Sequence, residues 1–285
     1  GLWTQFHLSK FLSHSTDSTS INSIEEDEFS ASTLIEKANR NLGQRLDEPL
    51  VMFGDIAVDT GFMNADPCTA RGCKWEKSSD GNVYVPYVIS NEYFSDFLIP
   101  SVIQSGLQTF ASSTCVRFFL RTNQRDFVDI QYITSCFSYL GRQGNGQVVS
   151  LSKNGCVYLS VVQHELLHAL GFNHKQTRSD RDSHVQILTQ NIIPVSRPGL
   201  KRQAGVFTFC PMLSGSRFAF SRNKQPTIPP IPDINAVIGR ATQMSPIDIM
   251  RVNRLYSCTK CFSKKPKSCD YCTCLEASPH HSSIN

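Results

Sequence analysis

The chain has 285 residues, of which 40% are apolar and 18% charged, enough to bury a sizeable core and to exclude a wholly disordered protein. Its 28 basic and 24 acidic side chains leave a net charge of +4, too weak a balance to point to nucleic acid. No apolar run approaches the roughly 18 residues of a membrane span, so none is expected.

Charge divides the chain. Residues 1–63 carry 10 acidic and 4 basic side chains, net −6, and residues 64–285 carry 14 and 24, net +10. An acidic leader on a basic body reads either as an intramolecular mask or as a solvated tail. Within the leader, residues 13–33 read as a disordered linker and 34–44 as a short helix. The body follows, beginning with the strands Val83–Ile89, Cys115–Leu120, Asp129–Ile133 and Val148–Leu151. Ile103, Leu107 and Phe110 recur at helical spacing, which predicts a helix over 101–112. A second helix is expected from Ser160, where Ser160-Val-Val-Gln163 has the form of a capping box, to Gly171. A last helix is marked by Ser245-Pro246-Ile247-Asp248, an N-cap followed by proline and an acid. Sheet and helix in front, and irregular chain with a terminal helix behind, predict an α+β fold.

The 11 cysteines are unevenly placed, with none before residue 68 and five in the last 28 residues. The spacings over 68–156 suit disulfides better than a zinc ribbon, which favours an oxidising, secretory compartment. Residues 1–12 lack the long apolar core of a signal peptide, so the signal is expected to lie outside this sequence. There is no Asn-x-Ser/Thr sequon to support secretion independently.

The chemistry lies in the run Gln163-His164-Glu165-Leu166-Leu167-His168-Ala169-Leu170-Gly171-Phe172-Asn173-His174. His164 and His168 are four apart, so both imidazoles leave one helical face. Gly171 can take positive φ and turn the chain so that His174 adds a third nitrogen. Three imidazoles leave a Zn²⁺ ion one open position. Glu165, on a neighbouring face, is placed to accept a proton from a water at that ion. A bare His-Glu-x-x-His arises often by chance as a half-buried polar pair. The full eleven-residue string on an apolar helix points to the metal site instead, and His174 disfavours a distant glutamate as third ligand.

The string HELLHALGFNHKQTRSDRD resembles the astacin family of zinc endopeptidases, which are metzincins. The likeness spans most of Cys68–Cys258 through CVRF, SYLGRQG, QVVSLSKNGCVY and RVNRLYSC. NADPCTARGCKW at 64–75 is similar to the six-cysteine, hatching-enzyme or nephrosin-like branch. The resemblance implies a two-lobed metzincin domain over 64–258, preceded by a propeptide over 1–63 and followed by a Cys/Lys tail over 259–285. It implies disulfides Cys115–Cys258, Cys136–Cys156 and Cys68–Cys73, one zinc held by His164, His168 and His174, and Glu165 as catalytic base. In Met52-Phe53-Gly54-Asp55 it implies Asp55 as the zymogen switch that sits on the zinc. Met212 becomes the floor of the Met-turn, the mature start falls near Asn64, and Val148–Leu151 becomes the edge strand that pairs with substrate. The partner is a protein or peptide substrate, for instance of an egg envelope or extracellular matrix, and the protein is expected to be a secreted monomer.

The chain departs from the family at Lys175, where a glutamate normally pairs with the new N-terminus, and at Ser214, where a tyrosine normally faces the metal. The stretch from His174 to Met212 is several residues short. Losing one oxyanion donor costs on the order of 10²–10³ in rate. Cys210, Cys261, Cys269, Cys272 and Cys274 have no family partner, and only seven residues separate the two tail Cys-x2-Cys pairs, too few for a zinc ribbon. Extra disulfides or a non-native extension are the alternatives. Two readings result: a secreted zinc endopeptidase made as a zymogen, with activity lowered by Lys175 and Ser214, or a zinc-binding, catalytically impaired paralogue acting as a binding protein.

Overall fold

The computed structural model describes residues 29–42, 49–58, 72–177, 180–194 and 213–258. Seven strands form one sheet: β1 Leu50–Met52, β2 Ile56–Val58, β3 Val83–Ile89, β4 Val116–Leu120, β5 Phe127–Gln131, β6 Cys136–Tyr139 and β7 Gly146–Leu151. Their order is β1-β2-β6-β7-β5-β3-β4. Strands β7, β5, β3 and β4 run parallel, whereas β6 is antiparallel to β7 and parallel to β2. The parallel strands are apolar runs, as strands covered on both faces should be: Val83, Val85, Val128, Ile130, Val149 and Leu151 are all buried.

Four helices complete the described fold: α1 Ala31–Ala38, α2 Ile99–Ser113, α3 Leu159–Ala169 and α4 Pro246–Leu255. Helix α2 buries Ile103, Leu107 and Phe110, one stripe of its surface, and packs against α3 and β4. The two helices approach closely because Gly106 has no Cβ, which would collide with Val162. Helix α3 is buried along almost its whole length and touches β6 and β7 on its other side.

Behind α3 the regular structure ends. Residues 180–194 and 213–245 hold isolated bridges, Val185 to Pro230 and Ile192 to Ser221, around a small core of Ile192, Ala219 and Ile228. Helix α4 returns the chain to the first lobe. Ser245 and Asp248 form a reciprocal capping box at its start, and Val252 and Tyr256 sink into the main core. A disulfide then joins Cys258 to Cys115 at the start of β4; a second joins Cys136 to Cys156.

The architecture is α+β, with several local departures from expectation. Residues 30–33 are not linker: the Ser30 side chain accepts from the Thr33 N–H and caps α1, whose Ala31, Leu34 and Ile35 are buried. The strand expected at 129–133 begins and ends two residues earlier. Ser160 does not cap α3. The N-cap is Tyr158, because the Ser160 hydroxyl donates to Phe29 O at 3.3 Å and Gln163 is committed to Thr109 and to Met244 N. Val148–Leu151 is no edge: β7 lies between β5 and β6. The strand that would border the body without the leader is β6, and leader strand β2 covers it. Cys68, Asn64, Met212, Cys210 and the tail beyond Cys258 lie outside the described residues, though Cys73 is disulfide-bonded.

Candidate metal centre

Helix α3 projects His164 and His168 from one face because residues four apart stack on successive turns. The helix ends at Leu170, and Gly171 follows with φ +97°. The Phe172 N–H donates to Leu167 O at 3.0 Å and the Gly171 N–H to His168 O at 2.8 Å, the paired bonds of a Schellman stop. The turn carries the chain back so that His174 faces the two helical imidazoles. The remaining carbonyls of this turn are held from outside: Trp75 Nε1–H donates to Ala169 O at 2.9 Å, and the Tyr256 hydroxyl to Leu170 O at 2.9 Å. The Gly141 N–H adds a bond to His168 O at 2.8 Å. Helix ends leave such carbonyls unpaired, and here three distant segments supply the donors.

The same turn decides the tautomer of His168. Its Nδ1 lies 2.7 Å from Phe172 O. A carbonyl only accepts, so Nδ1 carries the proton and the Nε2 lone pair faces inward. That Nε2 lies 3.1 Å from Nε2 of His164. Burial pushes the His168 imidazole down to about 4, so the ring is neutral at neutral pH.

Asp55 enters from the leader, on the loop between β1 and β2. Its Oδ2 lies 2.8 Å from His164 Nε2, and its Oδ1 lies 3.0 Å from His174 Nε2 and 3.6 Å from His168 Nε2. All four residues are buried, with their donor atoms within 4.8 Å of one another. Burial alone would raise the Asp55 carboxyl, but the imidazoles of His174, His164 and His168 more than offset it and hold it well below the usual carboxylate range. Glu165, next in sequence to His164, is fully buried. Burial, and then the Asp55 charge, push its carboxyl well above the usual range. Neither Glu165 oxygen has a hydrogen-bond partner among the described residues, nor has Nδ1 of His174.

The donor set suits zinc. Bonds of roughly 2.0–2.2 Å from one tetrahedral ion put its ligands about 3.4 Å apart, close to the contacts found among these four side chains. Imidazole nitrogen and carboxylate oxygen are both zinc donors. A buried carboxyl with no hydrogen-bond partner among the described residues, next in sequence to a converging imidazole, is a group held for chemistry rather than for packing.

Trp75, Tyr256 and Gly141 escaped the sequence reading, since nothing local marks a donor aimed at a helix end tens of residues away. Of the two departures from the family pattern, Lys175 opens a short 3-10 turn, Lys175–Thr177, and Ser214 is half-buried beside the buried Leu213.

A sheet-and-helix lobe, an irregular second lobe and three converging imidazoles with an adjacent glutamate define a zinc endopeptidase of the metzincin class. The sequence model of the Astacin peptidase family matches residues 72–257. High choriolytic enzyme 1 of Oryzias latipes is 39% identical over 239 residues, covering 82% of this chain and 86% of that protein. Low choriolytic enzyme of the same fish is 39% identical over 243 residues, covering 82% and 87%. The solved structure of High choriolytic enzyme 1, a hatching enzyme zinc-protease from medaka, matches with a TM-score of 0.63 and 42% identity, covering 68% of this chain and 100% of that one. This chain belongs to the astacin family and is a zinc metalloendopeptidase that holds one zinc ion. No helix among the described residues is long and apolar enough to cross a membrane.

Proposed function

We propose that the protein is a secreted endopeptidase made as a zymogen, that residues 1–63 are its inhibitory propeptide, and that residues 64–258 are its catalytic domain. The observation that carries this reading is the Asp55 carboxylate, 2.8 Å from His164 Nε2 and 3.0 Å from His174 Nε2. A leader carboxylate among the three imidazoles is the contact an inhibitory switch would make. The two disulfides of the body suit an oxidising compartment, and Cys68 is assigned as the partner of Cys73. Met212 is assigned to the floor below the metal. Similarity to choriolytic and hatching enzymes makes an egg-envelope protein the leading substrate class, acted on by a monomer.

His164, His168 and His174 hold zinc through Nε2, with Phe172 O keeping His168 in the required tautomer. Zinc, when bound, supplies a Lewis acid that polarises a peptide carbonyl and makes water acidic near neutral pH. Glu165 acts as general base, taking a proton at its carboxylate and returning it to the departing amine nitrogen. Burial raises the affinity of this carboxyl for protons, the direction a proton shuttle needs. An extended substrate adds to the β6 edge by main-chain pairing once the leader has left it.

The test uses the full, zinc-loaded chain and a fluorogenic peptide. Asp55→Ala is expected to cleave at least about tenfold faster than the wild type, the scale of one lost charge-assisted contact. Adding Glu165→Ala to Asp55→Ala should remove about 10²–10⁴ of that rate. An Asp55→Ala chain no faster than wild type would refute the zymogen reading, and retained cleavage in the double variant would refute the role of Glu165.

A further inference from the structure

The leader makes a second set of contacts that the metal does not explain. In an antiparallel pair the backbone groups of successive residues point alternately to either side. The β6 residues that point away from β7 are Cys136 and Ser138, since the Ser138 N–H donates to Asp55 O at 3.0 Å on the leader side. Strand β2 pairs only from Ser138 onward. At Cys136 the neighbour is not a strand but a side chain. The Cys136 N–H donates to Asn39 Oδ1 at 2.8 Å, and Asn39 Nδ2 donates to Cys136 O at 2.6 Å.

We infer that Asn39 is a second autoinhibitory lock, a peptide mimic that closes the substrate-pairing edge of β6 independently of Asp55. The inference rests on the zymogen reading given above. A carboxamide carries the same acceptor and donor as a peptide group, so it satisfies both backbone groups of Cys136 as a neighbouring strand would. The second Nδ2 hydrogen donates to Gly54 O at 2.8 Å. One side chain therefore joins the end of α1, the loop that presents Asp55, and the edge of β6. Its own position is set by helix α1: the Asn39 N–H donates to Ile35 O at 2.8 Å, and Ile35 and Leu34 are buried. The anchor of that helix is the Ala31 N–H, which donates to Ala241 O at 3.1 Å. Asp55 meets the three imidazoles and Asn39 occupies main-chain hydrogen-bonding groups. The two act on different atoms, so each can be removed by its own substitution.

The test uses full-length variants and residue-resolved amide exchange. Asn39→Asp keeps the size of the side chain but sets a carboxylate oxygen against the carbonyls of Cys136 and Gly54, driving the side chain off the edge, and Asn39→Ala loses the amide without adding charge. Both should speed exchange of the Cys136 amide by about tenfold or more, the scale of one or two lost hydrogen bonds. The Phe137 amide, which faces β7, should not change, and circular dichroism and zinc content should match wild type. Asp55→Ala/Asn39→Ala should cleave a fluorogenic peptide about tenfold faster than Asp55→Ala alone. An unchanged Cys136 amide would overturn the proposal. So would acceleration by Asn39→Asp alone, which would assign the effect to charge, or a double variant no faster than an active Asp55→Ala chain. If Asp55→Ala is itself no faster than wild type, the zymogen reading fails, and exchange at Cys136 alone decides the role of Asn39.

Discussion

Helix α3 with its turn and the leader segments meet at the same four side chains but are attached to the molecule in different ways. The helix is buried nearly throughout, and the carbonyls of its last turn are taken by Trp75, Tyr256 and Gly141. The leader is held by a short helix, two three-residue strands and a few polar side chains, among them Asn39, Ser32 and Asp55. The first arrangement sets two imidazoles by helix spacing and the third by the turn at Gly171. The second contributes one carboxylate, a set of hydrogen bonds and the buried apolar side chains of α1 and β2. Both attachments are buried; the imidazoles of the body are set by one helix and its stop, whereas the leader carboxylate is set by contacts spread over α1, β1 and β2.

That contrast can be broken most directly through the body. Replacing Cys115 and Cys258 together by Ser opens a loop with a sequence separation of 143 residues. A chain-entropy estimate puts the loss near 5 kcal/mol, measured by urea unfolding. If the leader detached at lower urea in this variant while the body stayed folded, the covalent closure would be serving the leader instead.

A smaller effect concerns pH in chelator-treated protein. The folded His168 is held to about 4, while the unfolded chain returns it to about 6.5. The unfolded state therefore binds the proton first as pH falls. Stability from this group is complete above about pH 6.5 and declines toward pH 4, by at most about 3 kcal/mol. Asp55, His164 and His174 face the same ring. Unfolding curves at pH 7 and pH 5 for wild type and His168→Asn measure the difference, which should shrink in the variant. An equal slope in both would remove His168 as the cause.

The least effect separates the two regions by a single hydrogen bond each. Tyr256→Phe leaves the Leu170 carbonyl without its buried hydroxyl donor and should cost about 1–3 kcal/mol of global stability. Ser32→Ala removes the bond from the Ser32 hydroxyl to Gly239 O and should cost about 1 kcal/mol or less. That loss should appear as faster amide exchange in α1, with the unfolding midpoint of the body unchanged. Equal global losses would mean that leader and body unfold as one unit.

Much of the first lobe could be read along the chain. The apolar run Val83–Ile89, the helical spacing of Ile103, Leu107 and Phe110, and the Ser-Pro-x-Asp start of α4 are local patterns, and local patterns survive folding. His164 and His168 were legible for the same reason, since a four-residue spacing on a helix has one geometric meaning. The capping box at Ser160 was misread because its residues make tertiary bonds to Phe29, Thr109 and Met244 instead. The leader strands were missed because three residues carry too little periodicity, and β7 was mistaken for an edge because sheet order is not written in any one strand.

Sequence by itself determined the α+β class, the helix that carries two imidazoles, the glutamate beside them and the glycine that turns the chain toward His174. Each depends on spacing within a dozen residues. Only the tertiary structure decided that β6 is the strand the leader covers, that Phe172 O sets the His168 tautomer, and that Asn39 supplies the backbone partners of Cys136. The last is a contact across 97 residues. Such pairings are fixed by how buried donors and acceptors are satisfied in the folded chain.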